Sequence, residues 1–86
     1  MASSKQLLVN STAQIVVESY GENRRVILHN SNDHPCYLGG ADVTNSTGLQ
    51  FPKNSTLDLV VPIGSVIYAA TAGGNTTTVS VLYLEP

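Results

Sequence analysis

Between Lys5 and Leu84 apolar and polar residues alternate with a period of two, broken every few residues by Gly, Pro, Asn and Asp. A period of two puts successive side chains on opposite faces of a strand; a helix would need apolar residues recurring at three and four. The pattern predicts strands near 5–9, 13–20, 24–30, 36–39, 48–51, 56–61, 65–71 and 77–84, all rich in Val, Ile, Leu, Tyr or Thr. No helix longer than one or two turns is expected. The breaks at Asn10-Ser11-Thr12, Gly21-Glu22-Asn23, Asn30 to Pro35, Thr44 to Gly48, Pro52 to Ser55, Pro62-Ile63-Gly64 and Gly73-Gly74-Asn75 read as turns.

The same alternation assigns faces. Val79, Val81 and Tyr83 share the inward side of the last strand, against Thr78, Ser80, Leu82 and Leu84. Val26, Leu28 and Asn30 oppose Arg25, Ile27 and His29, and Leu57, Leu59 and Val61 oppose Asp58 and Val60. Ile15 and Val17 oppose Val16 and Glu18, and Val66, Tyr68 and Ala70 are expected inward, against Ile67 and Ala69. Several second faces are themselves partly apolar, as strands inside a sandwich or at a subunit contact are. The expected fold is all-β, a small β-sandwich or jelly-roll-like barrel of about eight short antiparallel strands.

Size and composition sharpen this picture. A chain of 86 residues is one domain and buries only roughly 60% of its unfolded surface. Small domains gain from disulfides, metals or association. One cysteine, Cys36, allows no internal disulfide, which leaves self-association. Charged residues are 12% of the chain and the net charge is −2. The four basic residues, Lys5, Arg24, Arg25 and Lys53, are too scattered to follow a phosphate backbone, so no nucleic acid is expected. No apolar run approaches the roughly 20 residues of a membrane helix, and residues 1–9 do not read as a secretory signal. No membrane partner is expected, and synthesis in a cytoplasm is. The triplets beginning at Asn10, Asn45, Asn54 and Asn75 then read as turns rather than glycosylation sites.

Candidate chemistry is sparse. His29, Asp33, His34 and Cys36 lie within eight residues, but a zinc site draws three or four ligands together and no further His or Cys completes the set. Asp33-His34-Pro35 reads as a turn and Cys36 as a small core residue. A Cys36–His34 nucleophilic pair lacks a third group to orient it. The carboxylates Glu18, Glu22, Asp42 and Asp58 are dispersed. Gly39-Gly40 and Gly73-Gly74 lack the helix and Lys of a phosphate loop and read as bulges or corners needing positive φ. Asp42, Thr44, Asn45, Ser46 and Thr47 are expected to hold their own loop by side chain to backbone bonds. No enzyme, cofactor or metal is expected. Tyr20 and Tyr37, near turns, are the residues on which a sugar ring could stack; Tyr68 and Tyr83 are expected inside.

One resemblance covers residues 13–84. Arg24-Arg25-Val26-Ile27-Leu28-His29-Asn30, then Cys36-Tyr37-Leu38-Gly39-Gly40 with Asp42-Val43-Thr44, begin the pattern. Gly48-Leu49-Gln50-Phe51, Leu57-Asp58-Leu59, Ile67-Tyr68-Ala69-Ala70 and Thr78-Val79-Ser80-Val81-Leu82 complete it. The chain resembles the small β-sandwich virion modules of tailed bacteriophages, and without an attached domain it is most similar to the capsid decoration (cement) type. The resemblance implies a non-enzymatic structural protein on the capsid surface, binding the major capsid protein lattice as a homotrimer whose three sites act together. It implies residues 1–10 as a flexible arm that orders on the shell, ahead of a single domain at 11–86, with Leu7, Leu8 and Val9 as anchors. Asp42, Thr44 and Asn45 would form a second capsid contact, and Ile67, Leu82 and Leu84 the subunit interface. A carbohydrate- or receptor-binding adhesion module on the virion is the alternative.

Overall fold

The computed structural model describes residues 2–18 and 20–84. They form eight strands: β1 Ala2–Val9, β2 Gln14–Val17, β3 Arg24–Asn30, β4 Cys36–Gly39, β5 Leu49–Phe51, β6 Thr56–Val61, β7 Ile67–Ala70 and β8 Thr77–Leu84. Two four-stranded sheets result, ordered β1-β8-β3-β6 and β2-β7-β4-β5, every pairing antiparallel. The pairs β4–β5, β3–β6, β2–β7 and β1–β8 are nested, as in one long hairpin rolled up on itself. That is the strand order of a jelly roll.

Residues of period two fill the space between the sheets. Val26 and Leu28 of β3, Val79, Val81 and Tyr83 of β8 and Val61 of β6 face Val16, Val17, Cys36, Leu38, Phe51 and Ala69 of the second sheet. β8 alternates without a break, every odd residue from Thr77 to Tyr83 buried and every even one half-exposed. β2 does not alternate. A bulge between Ile15 and Val17 shifts the register and buries both Val16 and Val17, so the strand ends at Val17 rather than running on toward residue 20.

Two expectations change. In β7 the core side is Ile67 and Ala69, because Ala69 lies opposite the inward Leu38; Tyr68 is opposite Gly39 and half-exposed on the outer face. The segment expected as a flexible arm at 1–10 contains β1, paired with β8 from Ala2↔Leu84 to Val9↔Thr77. Its inward residues supply the reason: Val9 is fully buried and Leu7 packs against the core, so β1 belongs to the 11–86 sandwich.

The core holds one buried amide. Asn30, at the end of β3, has no exposed surface. Its Nδ2 donates to the carbonyls of His34 (3.0 Å), Phe51 (3.1 Å) and Pro52 (3.2 Å), two protons shared among three acceptors. Its Oδ1 accepts from the Thr77 hydroxyl at 2.6 Å. Ser31 extends the network: its single hydroxyl proton serves Thr77 or Asp33, both at 3.1 Å, and its oxygen accepts from the Thr78 amide. The amide thus ties β3 and β8 of one sheet to the end of β5 in the other. Replacing Asn30 with Asp, close in shape but unable to donate to carbonyls when ionised, is expected to destabilise the fold by about 3 kcal/mol. A urea titration checks this; an unchanged midpoint would show the amide bonds to be dispensable.

Candidate binding surfaces

The turn from β4 into β5 is built around one apolar side chain. Val43 is only 5% exposed although the residues around it are polar. A Cβ added at Gly39 would meet Val43 Cγ2 at 2.9 Å. One at Gly48 would meet the same methyl at 2.6 Å and Tyr37 Cβ at 2.7 Å. Both glycines are therefore required by close approach, not by positive φ; of the four expected at corners only Gly74 takes it, at +82°. Beyond Val43, the Thr44 amide donates to Thr47 Oγ1 (3.1 Å), and the Thr47 and Gly48 amides donate back to the Thr44 carbonyl (3.2 and 3.0 Å). The two hydroxyls lie 3.2 Å apart, and Thr44 Oγ1 also accepts from the Ser46 amide. Thr44 and Thr47 hold the loop as expected. The Asp42 and Asn45 side chains make no hydrogen bond among the described residues and stand exposed at the sandwich end.

A second surface is the outer face of the first sheet. Across it, Gln6, Ser80, His29 and Thr56 form one row and Ser4, Leu82, Ile27 and Asp58 the next. The half-buried pair Leu82 and Ile27 floors a groove of about 420 Å³, with Ser4, Gln6, His29 and Ser80 along its sides. His29 Nδ1 shares a hydrogen bond with Thr56 Oγ1 at 3.1 Å. One row further, Arg25 holds Asp58 through two parallel bonds, Nε to Oδ1 at 3.0 Å and Nη2 to Oδ2. These bonds lower the Asp58 carboxyl below its ordinary pKa and raise the Arg25 guanidinium.

The other candidates are spread over different faces. Leu7, Leu8 and Val9 alternate: Val9 is spent on the core, Leu7 packs against it, and Leu8 alone is open, at 62% exposure. Leu82 and Leu84 belong to the outer face of the first sheet, while Ile67 lies on the inner side of the second, so the three do not form one patch. Tyr20 is exposed on one side only, because the Arg24 guanidinium lies 4.4 Å from its ring centre. The same guanidinium is 4.2 Å from the Tyr83 ring, and its Nη2 donates to the Glu18 carbonyl at 3.0 Å. Tyr83 in turn donates its hydroxyl to the Val16 carbonyl at 3.3 Å, a second tie between the sheets. Tyr37 and Tyr68 are half-exposed on the outer face of the second sheet, Tyr37 beside Ala70 and Tyr68 beside Ile15.

The His and Cys residues separate. His34 Nδ1 donates to the Thr76 carbonyl at 2.9 Å, His29 is on the outer sheet face, and Cys36 is fully buried. Among the described residues no three His, Cys, Asp or Glu side chains come together as metal ligands. Sequence reasoning missed the plug at Val43, the Asn30 network and the Arg24 stack. Arg24 and Asn30 did carry a signal, as the polar residues in phase with Val26 and Leu28. Comparison with protein-family models, curated proteins and solved structures finds no match to this chain.

Two outcomes test these sites. Gly48→Ala forces a methyl against Val43 and Tyr37 and is expected to destabilise by about 1–3 kcal/mol, read as a lowered urea midpoint; an unchanged midpoint would mean the loop gives way freely. Burial pushes the Cys36 thiol up to about 11 from 9.0. Between these values the unfolded chain has released the proton and the folded chain has kept it, so stability falls as pH rises from about 9 to about 11. Below 9.0 the thiol contributes no slope. Urea unfolding of the wild type and of Cys36→Ala across that range checks the sign, since only the wild type carries this increment.

Proposed function

We propose that this chain is a structural, non-enzymatic module of a tailed-phage virion that decorates the capsid by binding the major capsid protein lattice. What carries the reading is the preorganised loop 40–48. Its backbone is fixed from below by Val43 and internally by Thr44 and Thr47, leaving Asp42, Thr44 and Asn45 exposed at its tip. A loop already rigid before contact loses little conformational freedom on binding, so modest contacts repeated over a lattice suffice. Residues Cys36–Thr44 of the phage-module resemblance map onto β4 and this loop, so the strongest sequence pattern and the built surface coincide. Jelly rolls also occur among viral capsid domains, a likeness of architecture that adds weight without specifying a partner.

A second reading is adhesion to carbohydrate. Tyr37 and Tyr68 favour it, as two aromatic residues on one outer sheet face. The same loop could then contribute hydrogen bonds to sugar hydroxyls.

Co-sedimentation of the purified chain with phage capsids stripped of their surface proteins separates the two. Decoration predicts saturable binding that falls at least tenfold in the double variant Asp42→Lys, Asn45→Lys, with unchanged thermal stability because both side chains are exposed. Absence of binding to capsids, together with a glycan-array signal lost in Tyr37→Ala, would replace decoration by adhesion.

A further inference from the structure

The first sheet ends on one side in β1, whose ladder among the described residues runs to β8 alone. Every second residue of an edge strand turns its N–H and C=O away from its single neighbour. β1 therefore offers an unpaired backbone edge roughly 26 Å long, at about 3.3 Å per residue. Natural edges are blunted by bulges, prolines, shortness or charge. Three of the four edges here are. β2 has four residues and a bulge, β5 has three residues, and β6 lies between Pro52 and Pro62 and carries Asp58. β1 has no proline and no bulge, and its one charge is turned inward. The Lys5 ammonium lies 5.5 Å from the Tyr83 ring centre and 3.8 Å from Glu18 Oε1, beneath the sheet rather than along its edge.

We infer that β1 pairs antiparallel with β1 of a second copy of this chain, about a two-fold axis through Gln6, so that two chains share one eight-stranded sheet. The inference stands apart from capsid decoration and would hold under either functional reading.

Register selects Gln6. Residues directly opposite across an antiparallel pair share a face. Both copies keep their cores on the same side only if odd residues meet odd and even meet even. An axis at Lys5 places two ammonium-bearing side chains opposite each other, which is unfavourable. An axis at Leu7 leaves only residues 5–9 paired within β1. An axis at Gln6 pairs residues 3–9, setting Lys5 against Leu7 of the second copy and Ser4 against Leu8 of the second copy. No like charges meet. The exposed Leu8 gains a neighbour, and the two Gln6 amides, each with donors and an acceptor, face one another. An interface of this kind is self-complementary and closes at two chains. It differs from the threefold association expected from the resemblance.

Gln6 is exposed, so its substitution tests pairing without disturbing the core. The wild type is expected to show twice its 9.1 kDa chain mass by light scattering during size exclusion. Gln6→Lys and Gln6→Glu should each dissociate to single chains, with urea midpoints near that of the monomeric form. Mixing the two variants should restore the double mass, with a dissociation constant at least tenfold below that of either variant alone, because Lys then faces Glu across the axis. A wild type that stays a single chain at millimolar concentration would overturn the inference. So would variants that both retain the wild-type mass, as association through β6 or a trimer through another face would give.

Discussion

The Asn30 side chain sets the terms on which the two sheets can close. Three carbonyls, from His34, Phe51 and Pro52, converge on one amide. A buried carbonyl without a donor is costly, so the β3–β4 turn and the exit of β5 must both stand where Nδ2 can reach them. Thr77 completes the arrangement by donating to the oxygen of the same amide, which fixes the start of β8. Four positions in the chain, between 34 and 77, are thereby held to a residue that leaves no polar atom facing water. The apolar core supplies most of the driving force, but apolar contacts are tolerant of slippage and hydrogen bonds are not.

The opposite end of the sandwich is closed differently. There Tyr83 reaches across to the Val16 carbonyl, and Arg24 is stacked on Tyr83 and Tyr20, with the Lys5 ammonium 5.5 Å from the Tyr83 ring centre. Two of the four basic residues are therefore engaged with aromatic rings, and a third, Arg25, is engaged with Asp58. A chain with so few charges commits most of its cations to its own architecture. Its outward character is correspondingly set by hydroxyls, amides and isolated apolar side chains such as Leu8, Leu49, Val60 and Ile63. Such surfaces suit repeated contacts of modest strength better than electrostatic capture from a distance.

How much of this was legible in the sequence depends on how cleanly each strand alternates. β3, β4, β6 and β8 begin and end where the period of two begins and ends. β1 extends to Ala2, beyond the expected start at Lys5, because Ser3 and Ser4 carry no strand propensity of their own and are held by pairing with Tyr83 and Leu82. β7 turns the face opposite to the expected one toward the core. Ile-Tyr-Ala-Ala offers apolar atoms on both sides, and only the register against Leu38 decides that Ala69 faces the core. The bulge in β2 could not be read from residue types, since Ile15, Val16 and Val17 fit either side. Among the candidate contacts, Asp42, Thr44 and Asn45 could be placed together because they are neighbours in one loop. Ile67 and Leu82 could not be separated without knowing which sheet each strand joins.

The nested order of the strands has a consequence for synthesis on the ribosome. Only β4 and β5 are both sequence neighbours and paired neighbours; every other pair spans at least two intervening strands. β8 lies in the middle of its sheet, between β1 and β3, yet it is the last of the eight to be made. Until it emerges, β1 has no partner at all and β3 has only β6. Until then the inward apolar residues of β1 and β3 lack the strand that lies between them. The first sheet thus closes only once β8 has been made, which makes the interval before that the period when this fold is most open to capture by a chaperone or by another nascent copy.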